Sequence, residues 1–131
     1  CIGNGRGSEP GQLRKPRRFA VSDGLVFVPD WDNDRVSVFR VDGGFVRAFG
    51  EQGDVDGQFS GPLDIAVVGE RMFVADTSNF RLSVHLLDGK FVRSFTHDSL
   101  LPTNIYPGGL AVVGDQLFVT DFSNHCVHVF A

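Results

Sequence analysis

Short apolar triplets separated by polar turns recur along most of this chain. In each copy, two triplets flank a turn of Gly with Asp or Glu, a third apolar run follows, and an Asp-Gly turn leads to a fourth. The first runs are residues 19–21, 65–67 and 110–112; the second 26–28, 72–74 and 117–119; the third 35–39, 81–85 and 126–130; the fourth 45–49 and 91–95. Such runs between turn residues predict short β-strands. No useful length shows the 3.6-residue period of an amphipathic helix, so the pattern predicts an all-β fold.

The four predicted strands form one unit that occurs three times. Pro16, Pro62 and Pro107 open the copies, 46 and then 45 residues apart. An Asp follows each Pro by fourteen positions, and an Asn follows each Asp by three. A period of this size with four strands per unit is typical of β-propeller blades, which cover both faces of each sheet. A linear β-solenoid is the alternative, but its hexapeptide or nonapeptide period is absent.

The residues of the second copy resemble an NHL repeat. The similar segments are PLDIAV at 62–67, MFVADTSNFRL at 72–82 and DGKFV at 88–92, with Phe-Gly at 49–50 and Gly-Gln-Phe at 57–59 before them. The family takes its name from Asn-His-Leu, and the third copy reads Asn-His-Cys-Val at 124–127. The chain departs from that motif at Asp34 and Phe80, which replace the His, and at Cys126, which replaces a basic residue.

The resemblance implies a propeller of about six blades, of which this chain would supply three at most. We expect repeats at about 11–50, 57–95 and 103–131, the third without its fourth strand, and residues 1–10 as the tail of a preceding blade and a linker. The remaining blades would come from a longer chain or from a self-completing oligomer. The expected fold is therefore a fragment of an NHL-type β-propeller.

Residues that return in every copy are expected to build the fold rather than to carry function. Antiparallel connectivity places the Asp-to-Asn loops and the loops before each Pro on the same side of the propeller. The Asp side chains can accept hydrogen bonds from loop amides, and the Asn residues tolerate left-handed turns. These structural residues are Asp30, Asp76, Asp121, Asn33, Asn79 and Asn124. Arg35 and Arg81 are expected to pair with the aspartates.

Residues on the same loops that do not recur are the candidates for function. Among the positions after each Asp, before each third strand and before the third Pro, the candidates for partner binding are Trp31, Phe80, Phe122, Tyr106 and His125. Large aromatic side chains on exposed loops are favourable anchors for a partner. We therefore expect a protein or peptide partner on this face.

RNA binding is the first alternative. Arg14, Lys15, Arg17 and Arg18 form the basic cluster of the chain, and some NHL propellers bind single-stranded RNA on this face. However, residues 1–18 carry a net charge of +4, whereas residues 51–64 carry −4. Because the visible face is divided in charge rather than basic, RNA is the weaker prediction.

An enzyme with its site in the missing blades is the second alternative, since some similar propellers are lyases or lactonases. The four His residues show no ligand spacing, so the sequence predicts no catalytic residue, metal site or cofactor. NHL propellers also serve as substrate-recognition parts of ubiquitin ligases, which would fit a non-catalytic module. No apolar segment is long enough to span a bilayer. Two cysteines, Cys1 and Cys126, fall in different blades and are expected to be free, which favours a cytoplasmic location.

Overall fold

Three antiparallel β-sheets follow one another along the chain in this computed structural model, which describes residues 1–96 and 104–130. The first sheet has the order β1 (Ala20–Ser22), β2 (Leu25–Asp30), β3 (Arg35–Arg40), β4 (Phe45–Phe49). The second has the order β5 (Pro62–Val68), β6 (Arg71–Asp76), β7 (Arg81–Leu86), β8 (Phe91–Phe95). The third contains β9 (Pro107–Val113), β10 (Gln116–Asp121) and β11 (Cys126–Phe130). The all-β prediction is confirmed, with every predicted strand present and several longer than predicted.

Two apolar cores lie between the sheets, so each shared face is covered by its neighbour. Phe27, Val36 and Val38 of the first sheet pack against Ile65, Met72 and Val74 of the second. The opposite face of the second sheet packs Ala66, Ala75 and Leu82 against Leu110, Leu117 and Val119 of the third. This stacking explains why the strands are apolar on both faces.

The sheets converge along one edge, where β5 lies between β1 and β9. The recurring alanines fall on these first strands, and Ala20, Ala66 and Ala111 each pair with a Phe of the second strand. A small side chain suits the crowded edge of wedge-shaped sheets. The three sheets are thus propeller blades, which we call blades 1, 2 and 3.

The turn after each second strand differs from the prediction at one residue. Trp31–Asn33 and Thr77–Asn79 form single 3-10 turns. The left-handed residue is the next one in every blade: Asp34 (φ 50°), Phe80 (φ 54°) and His125 (φ 54°). The Asn residues were expected to tolerate that conformation, but their role is a side-chain one, described below.

The outer faces of blades 1 and 3 carry exposed apolar residues, namely Phe19, Val21 and Val41 on blade 1 and Val113, Val127 and Val129 on blade 3. Within the described residues, no helix has the length and apolar character needed to cross a membrane. The repeat boundaries at 103 and 131 lie outside the described residues.

Candidate functional site on the loop face

A buried Asp organises the loops at one end of each blade, which we call the loop face. Oδ1 of Asp30 accepts a hydrogen bond from the Arg14 amide at 2.6 Å, and Oδ1 of Asp76 accepts one from the Ser60 amide at 2.7 Å. In blade 3, Oδ1 of Asp121 accepts the Tyr106 amide at 3.0 Å. Each bond ties the loop before a Pro to the end of the second strand. The loops of one blade are therefore held together.

The recurring Asn completes this arrangement with its side chain. Its Nδ2 donates to Oδ2 of the Asp three residues earlier, at 2.8 Å for Asn33, 3.0 Å for Asn79 and 2.8 Å for Asn124. In blades 1 and 2 the same amide also donates to the preceding loop, at the carbonyls of Gly7 and Gly53. These contacts are structural, because they hold backbone rather than face solvent.

An Arg on the third strand fills the same role in blades 1 and 2. Arg81 Nε donates to Asp76 Oδ2 at 2.7 Å, and its other nitrogens donate to the carbonyls of Asp54, Val55 and Gln58. Arg35 makes the equivalent bonds to Asp30, Ser8, Glu9 and Gln12. The planar guanidinium suits this set of acceptors. Burial raises the pKa of Asp76, although the Ser60 amide, Asn79 and Arg81 oppose that effect.

Blade 3 replaces this Arg by a different group. Cys126 stands at the Arg position, and His128 stands where the other blades have Ser37 and Ser83. His128 Nε2 lies 2.7 Å from Asp121 Oδ2 and 3.7 Å from Cys126 Sγ. Burial would raise the pKa of Asp121, but the hydrogen bonds from His128, Tyr106 and Asn124 outweigh burial and lower this pKa to about 2.

Three aromatic rings form a row on the loop face across the boundary of blades 2 and 3. The ring centroids of Phe80 and Tyr106 are 5.5 Å apart, and those of Tyr106 and Phe122 are 5.8 Å apart. Phe122 is 76% exposed and Phe80 is 43% exposed. His125 is also exposed in the turn that follows Phe122. Four of the five predicted partner-binding residues therefore lie at blades 2 and 3.

Trp31, the fifth, has a different environment in blade 1. The guanidinium of Arg17 lies 4.5 Å from the Trp31 ring centroid, and Lys15 Nζ lies 5.5 Å from it. The indole also borders Gly61 (φ 61°), where an added Cβ would lie 2.8 Å from Nε1. Trp31 is half-buried as a result, so it packs within the chain more than it projects from it.

The basic cluster lies in the same region and has acidic neighbours. Lys15 Nζ is 3.2 Å from Asp32 Oδ2, and Arg18 Nε is 3.7 Å from Asp64 Oδ2. Asp64 is buried and also accepts the Leu110 amide at 2.8 Å. Of the four predicted RNA-binding residues, Lys15 and Arg18 are thus in ion pairs, and Arg17 stacks on Trp31.

His85 is buried between blades, away from the loop face. Its ring lies 5.2–5.6 Å from the rings of Phe49, Phe59 and Phe91. Nδ1 lies 3.1 Å from the Gly89 carbonyl, and Nε2 lies 2.8 Å from Ser83 Oγ. Burial lowers the pKa of His85, with an opposing effect from the Gly89 bond and a further decrease due to Arg81. His85 is therefore a core residue whose charged form is disfavoured by burial.

The comparison with known families agrees with this geometry at blade 3. The family model of the NHL repeat matches residues 105–130, which run from the loop before Pro107 to the end of β11. By this match, residues 105–130 are similar to an NHL repeat. No curated protein matches the chain by sequence.

Solved structures show that the fold around this NHL repeat is that of larger propeller-like proteins. Virginiamycin B lyase from Staphylococcus aureus is 11% identical with a TM-score of 0.60, over 88% of this chain and 40% of that one. A protein assigned as a 6-phosphogluconolactonase from Bacteroides uniformis is 16% identical with a TM-score of 0.67, over 99% of this chain and 40% of that one. A streptogramin B lyase is 14% identical with a TM-score of 0.57, over 95% of this chain and 41% of that one.

These structures are similar in fold only, since identities this low carry no activity to the chain. The chain spans about two fifths of their length. Their names include lyases and a lactonase, so the fold does not exclude an enzyme.

Sequence reasoning missed the group formed by Asp121, Cys126 and His128, whose possible ligand atoms all lie within 4.8 Å of one another. The signal was present in the sequence. Cys126 and His128 are two positions apart on one strand, so they share a face, and Cys126 pairs with Asp121 across the hairpin. The sequence analysis looked for metal-ligand spacing among the histidines alone, so it overlooked a site in which one His is joined by a carboxylate and a thiol.

Proposed function

We propose that this chain is part of a non-catalytic recognition module that binds a protein or peptide on its loop face. The observation that carries the proposal is the row of Phe80, Tyr106 and Phe122 with its exposed outer ring. Adjacent aromatic rings bury a large area at small entropic cost, and such residues dominate binding energy at interfaces. If the chain serves a ubiquitin ligase, the same surface would select its substrates.

The rigidity of the surrounding loops supports this function. Tyr106 donates its amide to Asp121, and its carbonyl accepts the Phe122 amide at 3.0 Å. Thr77 Oγ1 donates to the Pro107 carbonyl at 2.8 Å and joins blades 2 and 3. A surface whose backbone is already fixed loses little freedom on binding.

RNA binding receives less support from the same loop face. Asp32 and Asp64 pair with Lys15 and Arg18, and Arg17 lies over Trp31. Phosphate contacts would have to compete with these interactions. The aromatic row lies at blades 2 and 3, whereas the basic residues come from the loop before blade 1.

The proposal is tested with peptides selected from a random library against the chain. Phe122→Ala should weaken binding of the selected peptide by about 2 kcal/mol, which is roughly 30-fold in Kd, and this loss should depend little on salt concentration. Phe19→Ala is the matched control, because Phe19 is 64% exposed but lies on the outer face of blade 1. Equal losses for Phe122→Ala and Phe19→Ala would refute binding at the row.

A single-stranded RNA of mixed sequence provides the competing test. If the chain recognises RNA, a plot of the logarithm of the binding constant against the logarithm of salt concentration should have a slope of roughly −0.7 per phosphate contact. Tight binding of that kind, lost in Arg17→Ala/Arg18→Ala and kept in Phe122→Ala, would replace the proposed function by RNA binding.

A further inference from the structure

We infer that blade 3 contains a binding site for a transition-metal ion such as Zn²⁺, formed by Asp121, Cys126 and His128. The three residues supply a carboxylate, a thiol and an imidazole from one hairpin. Thiolate and imidazole are the ligands that zinc prefers, and carboxylate is its third common ligand. The site uses no side chain of the aromatic row, although the backbone amide of Tyr106 bonds Asp121.

Two of the three distances between the ligand atoms are near those around one small ion, and the third, between Cys126 Sγ and the Asp121 carboxylate, is within 4.8 Å. With bonds of about 2.0–2.3 Å and tetrahedral angles, neighbouring ligand atoms lie roughly 3.3–3.6 Å apart. Nε2 of His128 is 3.7 Å from Cys126 Sγ and 2.7 Å from Asp121 Oδ2. The imidazole and carboxylate need to separate by only about 0.6 Å, as the hydrogen bond between them gives way to two metal bonds.

The surroundings hold the carboxylate in position for this role. The Tyr106 amide donates to Asp121 Oδ1 at 3.0 Å, and Asn124 Nδ2 donates to Oδ2 at 2.8 Å. Such outer bonds orient a metal-binding carboxylate and sustain affinity. On the other side, Cys126 is exposed and the His128 side chain is 17% exposed, so an ion can enter and keep water as a fourth ligand.

The comparison between blades supplies an independent reason. Blades 1 and 2 place Arg and Ser at these positions, and each Arg bonds three carbonyls of the preceding loop. In the sequence before blade 3, the Gly-Gln-apolar segment of those loops (Gly11-Gln12-Leu13 and Gly57-Gln58-Phe59) has no counterpart. Blade 3 therefore lacks both the Arg and part of the loop sequence that the Arg bonds in blades 1 and 2. Cys126 stands at the Arg position and His128 at the Ser position, and both are metal-ligating side chains on one face of β11.

Cobalt(II) chloride tests the site, because tetrahedral Co²⁺ with a thiolate gives visible d–d bands and a near-ultraviolet charge-transfer band. The protein is the full 131-residue chain without a polyhistidine tag, with Cys1→Ser to remove the other thiol. We expect saturation at one equivalent of Co²⁺, both bands, and displacement by Zn²⁺. Zn²⁺ should also raise the melting temperature, because it binds the folded state.

The decisive variant is Cys126→Arg/His128→Ser, which installs the residues of blades 1 and 2 beside Asp121, and its far-ultraviolet circular dichroism should match that of the parent chain. This double variant should bind Co²⁺ more than about 100-fold more weakly, and both bands and the thermal shift should be absent. Cys126→Ser should lose the charge-transfer band while keeping weaker binding through Asp121 and His128. No saturable binding to the Cys1→Ser chain, or unchanged affinity in the double variant, would overturn the inference.

Discussion

The position two residues into the third strand shows how one substitution changes the chemistry of a blade. It is Ser37 in blade 1, Ser83 in blade 2 and His128 in blade 3. Ser83 Oγ bonds Nε2 of His85, whereas Ser37 faces Phe39 at the equivalent place and its Oγ is the buried polar side-chain atom left without a partner among the described residues. The serine hydroxyl at this position therefore has a hydrogen-bond partner in blade 2 and none among the described residues in blade 1.

Removing these two hydroxyls should have opposite results. Ser37→Ala should leave the free energy of unfolding within about 0.5 kcal/mol or raise it, because an unbonded buried hydroxyl is lost. Ser83→Ala should lower it by about 1–3 kcal/mol, because His85 Nε2 is left unsatisfied. Urea unfolding of both variants measures the difference. Equal effects of the two substitutions would contradict this account.

Stability should also fall in mild acid because of His85. Its pKa is lowered in the folded state from the ordinary value of 6.5, so below that pH the unfolded chain binds the proton more readily. The stabilisation is present above about pH 6.5 and is lost as the pH falls through the lowered folded pKa. His85→Phe, which copies Phe39 and Phe130, should reduce the slope of unfolding free energy between about pH 7 and pH 5. An identical slope in the variant and the wild type would show that His85 does not contribute.

Between elements, the Arg–Asp pair connects strand to loop. Arg81 begins β7, and through one guanidinium it fixes the end of β6 and three carbonyls of residues 53–58. Asp34 adds a contact between blades, because its Oδ1 accepts the Gly61 amide at 2.8 Å. The loop face is thus built largely from side chains that bond backbone.

Arg81→Lys should separate the charge of this residue from its hydrogen-bonding geometry. Lys keeps a positive charge near Asp76 but cannot bond the three carbonyls together, so we expect a loss of about 2 kcal/mol in stability. Amide exchange should increase most in residues 53–58. Arg71→Lys, at an exposed position of β6, is the control. A uniform increase in exchange over the whole chain would argue against a local role for Arg81.

At the scale of the whole molecule, the two outer faces are the main feature. Blade 1 exposes Phe19 and Val21, and blade 3 exposes Val113, Val127 and Val129, each more than half accessible. Inside the stack, equivalent faces are covered by the next blade. Exposed apolar surface of this extent favours association with another sheet.

The isolated chain should therefore self-associate or melt with poor cooperativity. Sedimentation velocity over a range of concentrations measures the association, and calorimetry measures the transition. Val127→Thr/Val129→Thr should reduce association, since both positions are strand residues on the exposed face. A monomer at every concentration with a sharp two-state transition would contradict this prediction.

The sequence by itself determined the strands, their grouping into blades and the recurring Asp, Asn and Arg. Strand pattern and turn residues act over a few positions, and a residue repeated in every copy, such as Asp76, reveals its structural purpose. The sequence also identified the aromatic residues of the loops. Sequence separation could not show that Phe80, Tyr106 and Phe122 form one row, because the row crosses a blade boundary.

Only the tertiary structure decided which candidates face solvent and which groups meet. It placed Trp31 against Arg17 and Gly61, so that a predicted anchor is half-buried, while Phe122 remains exposed. It also brought Asp121 to Cys126 and His128. Exposure depends on how adjacent blades pack, and a ligand cluster depends on register across a hairpin. Both are long-range properties, which a local pattern of apolar and polar residues does not specify.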